Sequence, residues 1–284
     1  MNNAIEVKNL CKRYPGFALQ NVRFDVPEGT ILGLVGENGA GKSTIINLLM
    51  NAVSRDSGDV AVLGIDPTSP EFTETKQSIG VVLDEAHFPV QLSALSVEKM
   101  MRSVYRNWDS ACFRDYLRRF DLPEGKPFKD YSRGMRMKLA IAVALSHGAR
   151  LLILDEATGG LDPMARDELL EIISDFTRDE RCTVLMSSHI VSDLEKICDS
   201  IAFVHKGQLL FCEEKDRLLE DYALLRLTRA DAEAVPTEAI VSRRESPYDV
   251  EMLVRRALVT DALPSEHTTL EDVILFFAKE VDKK

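Results

Sequence analysis

The nine residues GENGAGKST, Gly36 to Thr44, constrain this chain more than any other stretch. They match G-x-x-x-x-G-K-[ST] with an additional glycine at 39. On one side lies the short apolar run ILGLVG, which reads as a buried strand, and on the other KSTIINLLMNAV, with the length and apolar spacing of a helix. Strand, glycine loop and helix in that order make a cradle for phosphate. Gly36, Gly39 and Gly41 let the backbone curl so that the N–H groups of the loop, Glu37, Asn38 and Ala40 included, converge on phosphate oxygens. The positive end of the following helix adds to that attraction. Lys42 is expected to reach the β- and γ-phosphates, Ser43 to ligate Mg²⁺ and Thr44 to touch the α-phosphate.

The rest of the chain has to supply a fold in which such a loop sits at a strand end. SIGVVLDE, ARLLILDEA and CTVLMSSH read as strands, MARDELLEIISDFTRDE and IVSDLEKICD as helices, and SIAFVHKGQLLFCEE as a hairpin. Buried strands alternating with helices predict an α/β architecture around a parallel sheet. Near the start, Ile5 and Val7, then Val22, Phe24 and Val26, recur at period two, which predicts a small antiparallel sheet; GDVAVLGID is expected to add a second hairpin. From about Val97 to Leu145 the sequence is helical and rich in Arg, Lys and Leu. After about Leu224, three short strands (LLRLTRA, EAIVSRRES, DVEMLVRR) and a closing helix (TLEDVILFFAKEV) form a small α+β appendage. At 284 residues the chain exceeds the ~100–200 of one domain. It is therefore divided into a large domain, 1–222, and a small one, 223–284.

Charge narrows the partners. Asp and Glu outnumber Lys and Arg by 46 to 35, a net charge of -11, so the basic footprint of a phosphate-backbone binder is missing and no nucleic acid partner is expected. The cysteines, Cys11, Cys112, Cys182, Cys198 and Cys212, are scattered without a C-x-x-C pair, which fits a reducing compartment and neither zinc nor a disulfide framework. The start MNNAIEVKNLCKRY has no apolar core of a secretory signal, and no apolar run reaches the ~18 residues that span a bilayer. A membrane role would have to use another chain's helices.

Further chemistry clusters at predicted strand ends. LLILDEATGGLDP ends an apolar run in two carboxylates. Buried next to the phosphate-loop strand, Asp155 would hold Mg²⁺ through its water shell. Glu156, one residue on, points elsewhere and would orient or deprotonate the attacking water. His189 follows the strand CTVLMSSH, expected to lie beside the phosphate-loop strand, which brings its imidazole within reach of a γ-phosphate. Tyr14, before a hairpin turn, reads as a core tyrosine by itself and as an adenine-stacking face in this context. Asp162 follows the turn Gly159-Gly160-Leu161, which could meet another subunit. In YSRGMRMKLAIAVALSHGA, a buried helix from Met137 onward is preceded by Ser132, a natural N-cap, and by a cation and a glycine that a plain helix start does not need.

In this order, across roughly Ile5 to Glu214, these pieces resemble the ATP-binding subunit of an ABC transporter, in the subgroup of bacterial exporter-type ATPases whose membrane domain is a separate polypeptide. The resemblance implies a P-loop NTPase core of the ABC ATPase kind, with an N-terminal antiparallel β subdomain, a helical subdomain over about 85–149 and the C-terminal appendage. It implies ATP and Mg²⁺ as cofactors. Asp155 is then the Mg²⁺ acid, Glu156 the catalytic acid, Asp162 the acid of the following loop, His189 the switch histidine and Tyr14 the adenine-stacking aromatic. Tyr131 to Met135 falls where the family carries its signature loop, so Ser132 and Gly134 would approach the γ-phosphate of ATP held by a partner cassette, either a second copy or a paralogue. A separate integral-membrane permease is the other implied partner, with the chain cytoplasmic and peripheral on the inner face of the membrane.

Three departures from the family pattern stand out. Tyr131, Arg133 and Met135 replace Leu, Gly and Gln in the signature; Asp84 stands where Gln is usual, and is read as a Mg²⁺ ligand, direct or through water; and EATGGLD replaces Glu-Pro-Thr-Ser-Gly-Leu-Asp. Two other classes compete. A soluble ABC ATPase acting on ribosomes or DNA is disfavoured by the single cassette and the acidic charge, and a nucleotide-gated scaffold without turnover by the intact Glu156 and His189.

Overall fold

The computed structural model describes residues 2–84, 88–259 and 265–282. β1 (Asn3–Tyr14) and β2 (Phe17–Pro27) form an antiparallel ladder with Ile5 opposite Val26 and Val7 opposite Phe24, so the predicted period-two residues share one buried face. β3 (Ile31–Val35) is buried at every position, the mark of a strand covered on both faces, and delivers the chain to α1 (Lys42–Leu49). β4 (Ser57–Val62) pairs antiparallel with β1, giving a three-stranded sheet of order β2-β1-β4. The expected second hairpin is thereby corrected. Val62 and Ile65 do bridge across a tight turn, but the ladder goes to β1, where Val60 and Val62 join Ile5, Val7, Ile45 and Ile46 in one apolar cluster.

α2 (Phe72–Thr75) and β5 (Ile79–Val82) lead into the helical region of α3 (Ala94–Val104), α4 (Ser110–Arg119) and α5 (Arg133–Leu145). Its expected first residue, Glu85, lies outside the described residues. Ser93 caps α3 and Asp109 caps α4, and buried Phe113 and Leu117 face the core shared with α5. Then follow β6 (Leu151–Asp155), α6 (Pro163–Phe176), β7 (Thr183–Ser188), α7 (Val191–Ile197), β8 (Ser200–His205) and β9 (Gln208–Glu214).

The central sheet has the order β5-β6-β7-β3-β8-β9, parallel except for β9, which runs antiparallel to β8. This order bears out the neighbour relation between β7 and β3 but corrects the one between β6 and β3. Asp155 ends a strand one removed from the phosphate-loop strand, because β7 lies between them. The register compensates: Val35 stands opposite Ser188, and Ser187 opposite Asp155. All three strands therefore end level, and their loops open on one crevice at the carboxyl edge of the sheet.

The C-terminal part contains α8 (Lys215–Asp221), β10 (Tyr222–Leu227), α9 (Arg229–Ala232), β11 (Ile240–Glu245), β12 (Val250–Arg255), β13 (Ser265–Glu266) and α10 (Leu270–Asp282). The three predicted strands become an antiparallel sheet of order β11-β12-β10-β13, whose fourth strand, two polar residues long, carries no alternation to read. α10 is the predicted closing helix. Its buried Leu270 and Ile274 join the main core beside Leu194 of α7, and the Leu270 N–H donates to Glu195 Oε2 at 3.3 Å. Among the described residues no helix is long and apolar enough to cross a membrane.

Candidate nucleotide site

At the end of β3 the chain turns at Gly36, where a Cβ would stand 2.2 Å from the carbonyl oxygen of Val204 on β8. No larger residue passes there. Gly41, at φ +119°, turns the backbone into α1, a conformation open to glycine and strained for other residues. The Gly207 N–H donates to the Ala40 carbonyl at 2.9 Å and ties the loop to the β8–β9 turn. Lys42 folds back inside the loop and is 5% exposed; its Nζ donates to the carbonyls of Gly36 at 2.7 Å and Glu37 at 3.3 Å. The result is a cleft of about 590 Å³ lined by Gly16, Phe17, Glu37, Asn38, Gly39, Gly41, Lys42, Ser43, Thr44, Asp84 and Glu156.

The two acids at the β6 end face different ways, and Glu156 lines the cleft. Asp155 is buried and accepts a 2.5 Å hydrogen bond from Ser187 Oγ. Glu156 sits at φ +53°, a sparsely populated conformation that swings its side chain toward the loop. Its N–H is held by the carbonyl and the hydroxyl of Ser187, both at 3.1 Å. Its carboxylate meets Lys42 Nζ at 3.2 Å through Oε1 and His189 Nδ1 at 2.5 Å through Oε2, which also accepts the His189 N–H at 3.2 Å. Burial works against ionising Glu156, but the His189 hydrogen bond and the Lys42 charge outweigh it and hold the carboxyl below its ordinary value. The carboxylate paired with Lys42 is that of Glu156.

Ser187 was missed in the sequence, yet it braces both acids. The one hint was its place in Ser187-Ser188-His189, at the end of an apolar strand. Phe17 was missed as well. It lines the cleft and packs on the phosphate loop, where a Cβ at Gly41 would lie 3.0 Å from its Cζ. Tyr14 is 39% exposed and stacks on Phe17 with ring centres 6.5 Å apart, and is not itself among the residues that line the cleft.

The opening of α5 is built as the sequence suggested. Ser132 caps the helix, its Oγ accepting from the Met135 N–H at 3.2 Å, and Gly134 faces Leu161. Neither residue lines the cleft of its own subunit. Asp162 caps α6 through the N–H groups of Met164 and Ala165, with Pro163 in the first turn. Asp84 lines the cleft, but its Oδ1 accepts from Arg133 Nη2 at 2.8 Å.

For a metal, the donors at the crevice are the Ser43 hydroxyl and the Asp155 and Asp84 carboxylates, all hard oxygens. Among the described residues no three His, Cys, Asp or Glu side chains form a set able to cage an ion. That donor set fits Mg²⁺, which takes one or two protein oxygens and completes its shell with phosphate oxygens and water.

The family model described as ABC transporter matches residues 19–159. The lantibiotic transport ATP-binding protein SrtF of Streptococcus pyogenes is 35% identical over 215 residues, 75% of this chain and 91% of the relative. A solved ATP-binding subunit of an ABC transporter superposes with a TM-score of 0.69 at 25% identity, over 76% of this chain and 91% of the other. The ATP-binding cassette MJ0796, solved as a dimer in a post-hydrolysis state bound to ADP and Pi, superposes with a TM-score of 0.65 at 22% identity, over 74% and 98%.

Proposed function

The chain belongs to the family of ABC transporter ATP-binding proteins, and from that premise we propose how its cleft works and with whom. It is an ATPase subunit. The observation that carries the mechanism is the Lys42–Glu156–His189 chain of contacts at the mouth of the phosphate loop. A nucleotide's phosphates enter the loop, take over Lys42 and leave Glu156 hydrogen-bonded to His189 alone. Glu156 is then an ionised base, oriented by His189, which accepts a proton from the water attacking the γ-phosphorus as the bond to the β-phosphate oxygen breaks. Lys42 and the loop N–H groups hold the phosphate charge as it redistributes. Ser43 and Asp155, with Asp84 nearby, would hold Mg²⁺, which would supply neutralisation of the phosphate charge. Phe17 and Tyr14 offer the aromatic surface for the base.

The second half of the reading concerns Ser132 and Gly134. Set at a capped helix start outside their own cleft, they are anion ligands for the ATP of another cassette, a second copy or a paralogue. The dimeric state of MJ0796 supports this arrangement. Work is passed to a separate membrane permease, with this chain peripheral on the cytoplasmic face, residues 1–222 forming the cassette and 223–284 an accessory domain. Light scattering of Glu156→Gln with ATP and Mg²⁺ tests the pairing, and adding Ser132→Arg should abolish the ATP-induced dimer. A dimer indifferent to Ser132→Arg would remove the helix start from the interface.

A further inference from the structure

Two positions at which this chain departs from the family pattern, Asp84 and Arg133, meet in space beside the turn that contains a third, Gly159. Arg133, the cation in the signature segment, donates from Nη2 to Asp84 at 2.8 Å. Its stem and guanidinium lie across the turn that follows Glu156: a Cβ built on Gly160 would be 3.2 Å from Arg133 Cδ and Nε, and one on Gly159 4.0 Å from Nη2. Gly160, at φ +74°, leaves room for the side chain to pass. Asp84 lines the nucleotide cleft, while Arg133 is the first residue of α5. One side chain thus joins the end of β5, the turn behind Glu156 and the helix start that carries Ser132.

The other polar ties of that helix start run within the helical region. Tyr131 donates to the Pro123 carbonyl at 2.6 Å and Arg136 to the Lys129 carbonyl at 3.0 Å. The Asp84 pair runs instead to the cleft. Both partners are more than half exposed, so the pair is too weak to hold the fold together, yet sufficient to bias where the tip of α5 rests.

We propose that Arg133 and Asp84 form a clasp within one subunit that sets the α5 tip against the cleft, so that Ser132 and Gly134 are already positioned for the nucleotide of a second copy of this chain. This rests on the paired-cassette reading and deepens it: Arg133 is a positioning residue, and Asp84 is its anchor. Nucleotide entering the cleft beside Asp84 is thereby felt at the surface the second copy uses.

The test is a double-mutant cycle on the ATP-induced dimer in the Glu156→Gln background, with the dissociation constant read by sedimentation over a concentration series. Arg133→Ala and Asp84→Ala should each weaken the dimer, roughly two- to fivefold for an exposed pair, and the double variant should be no weaker than either. The missing additivity is diagnostic. If the two charges acted separately, Arg133 on phosphate and Asp84 on Mg²⁺, each loss would weaken the dimer and the two effects would multiply. Opposite signs, multiplying effects or no effect overturn the clasp.

Should Glu156→Gln fail to dimerise, the pairing of two copies of this chain is what fails. The clasp is then read in the isolated subunit by hydrogen exchange at the Met135 amide, which bonds Ser132 Oγ. Equal acceleration in both single variants and the double supports the clasp, and unchanged exchange overturns it.

Discussion

Replacing Glu156 by Gln should tighten the binding of ADP. Lys42 Nζ lies 3.2 Å from Glu156 Oε1, with the two side chains only 5% and 15% exposed. At that separation and an effective dielectric of about 20, the gross attraction is about 5 kcal/mol, most of it offset by the desolvation both charges have already undergone. A net pairing of about 1 kcal/mol must therefore be given up when phosphate takes the ammonium, a factor of roughly five in affinity. Gln keeps the shape and loses the charge, so that competition disappears and so does a negative charge facing the phosphates. Lys42 is not stranded, because the Gly36 and Glu37 carbonyls still accept from it. Calorimetry with ADP is the assay, since no turnover occurs and no γ-phosphate is present to bridge two subunits. His189→Ala, which leaves the Glu156 charge in place, should not tighten binding. Equal or weaker ADP binding by Glu156→Gln would refute the idea that Glu156 occupies the phosphate's place on Lys42.

Lys42→Ala should weaken ATP binding severely, because a methyl group replaces the charge-assisted contact to phosphate; unchanged affinity by calorimetry would remove the loop from the nucleotide site. Steady-state hydrolysis by Glu156→Gln should fall by about 10²–10⁴-fold, the usual contribution of a positioned base, and wild-type turnover would assign the proton to another group. The forked hydrogen bond from Arg55, with help from Thr68, holds Asp66 well below its ordinary value of 3.8. Because the folded-state value is depressed, that stabilisation is complete above the ordinary value and is lost as pH falls toward the lower one. The stability gap between wild type and Asp66→Asn in urea should accordingly narrow below about pH 4. Phe113, fully buried between α4 and α5, should cost about 3–5 kcal/mol when cut to Ala, and a loss below about 1 kcal/mol would mean that the helical region repacks freely.

The chemistry was legible because it is written in contiguous residues. A glycine loop between a buried strand and a helix is a local pattern, so Gly36 to Thr44 predicted the turn that the structure shows between β3 and α1. Asp155 with Glu156, and Ser132 at a helix start, follow from equally local rules, in which a strand end aims alternate side chains apart and a hydroxyl caps orphan N–H groups. What the sequence could not carry is whatever depends on strand order. Nothing local says that β6 pairs with β7 and not with β3, and that pairing is what puts Ser187 under both acids and His189 against Glu156. GDVAVLGID carries the alternation of a strand but not the name of its partner, which is set by the larger apolar face that β1 offers. Asp84 and Arg133, 49 residues apart, read as two separate irregularities. Only the packing of α5 against the end of β5 makes them one ion pair, because a contact between distant segments is decided by how buried surfaces fit together and not by the residues on either side of it.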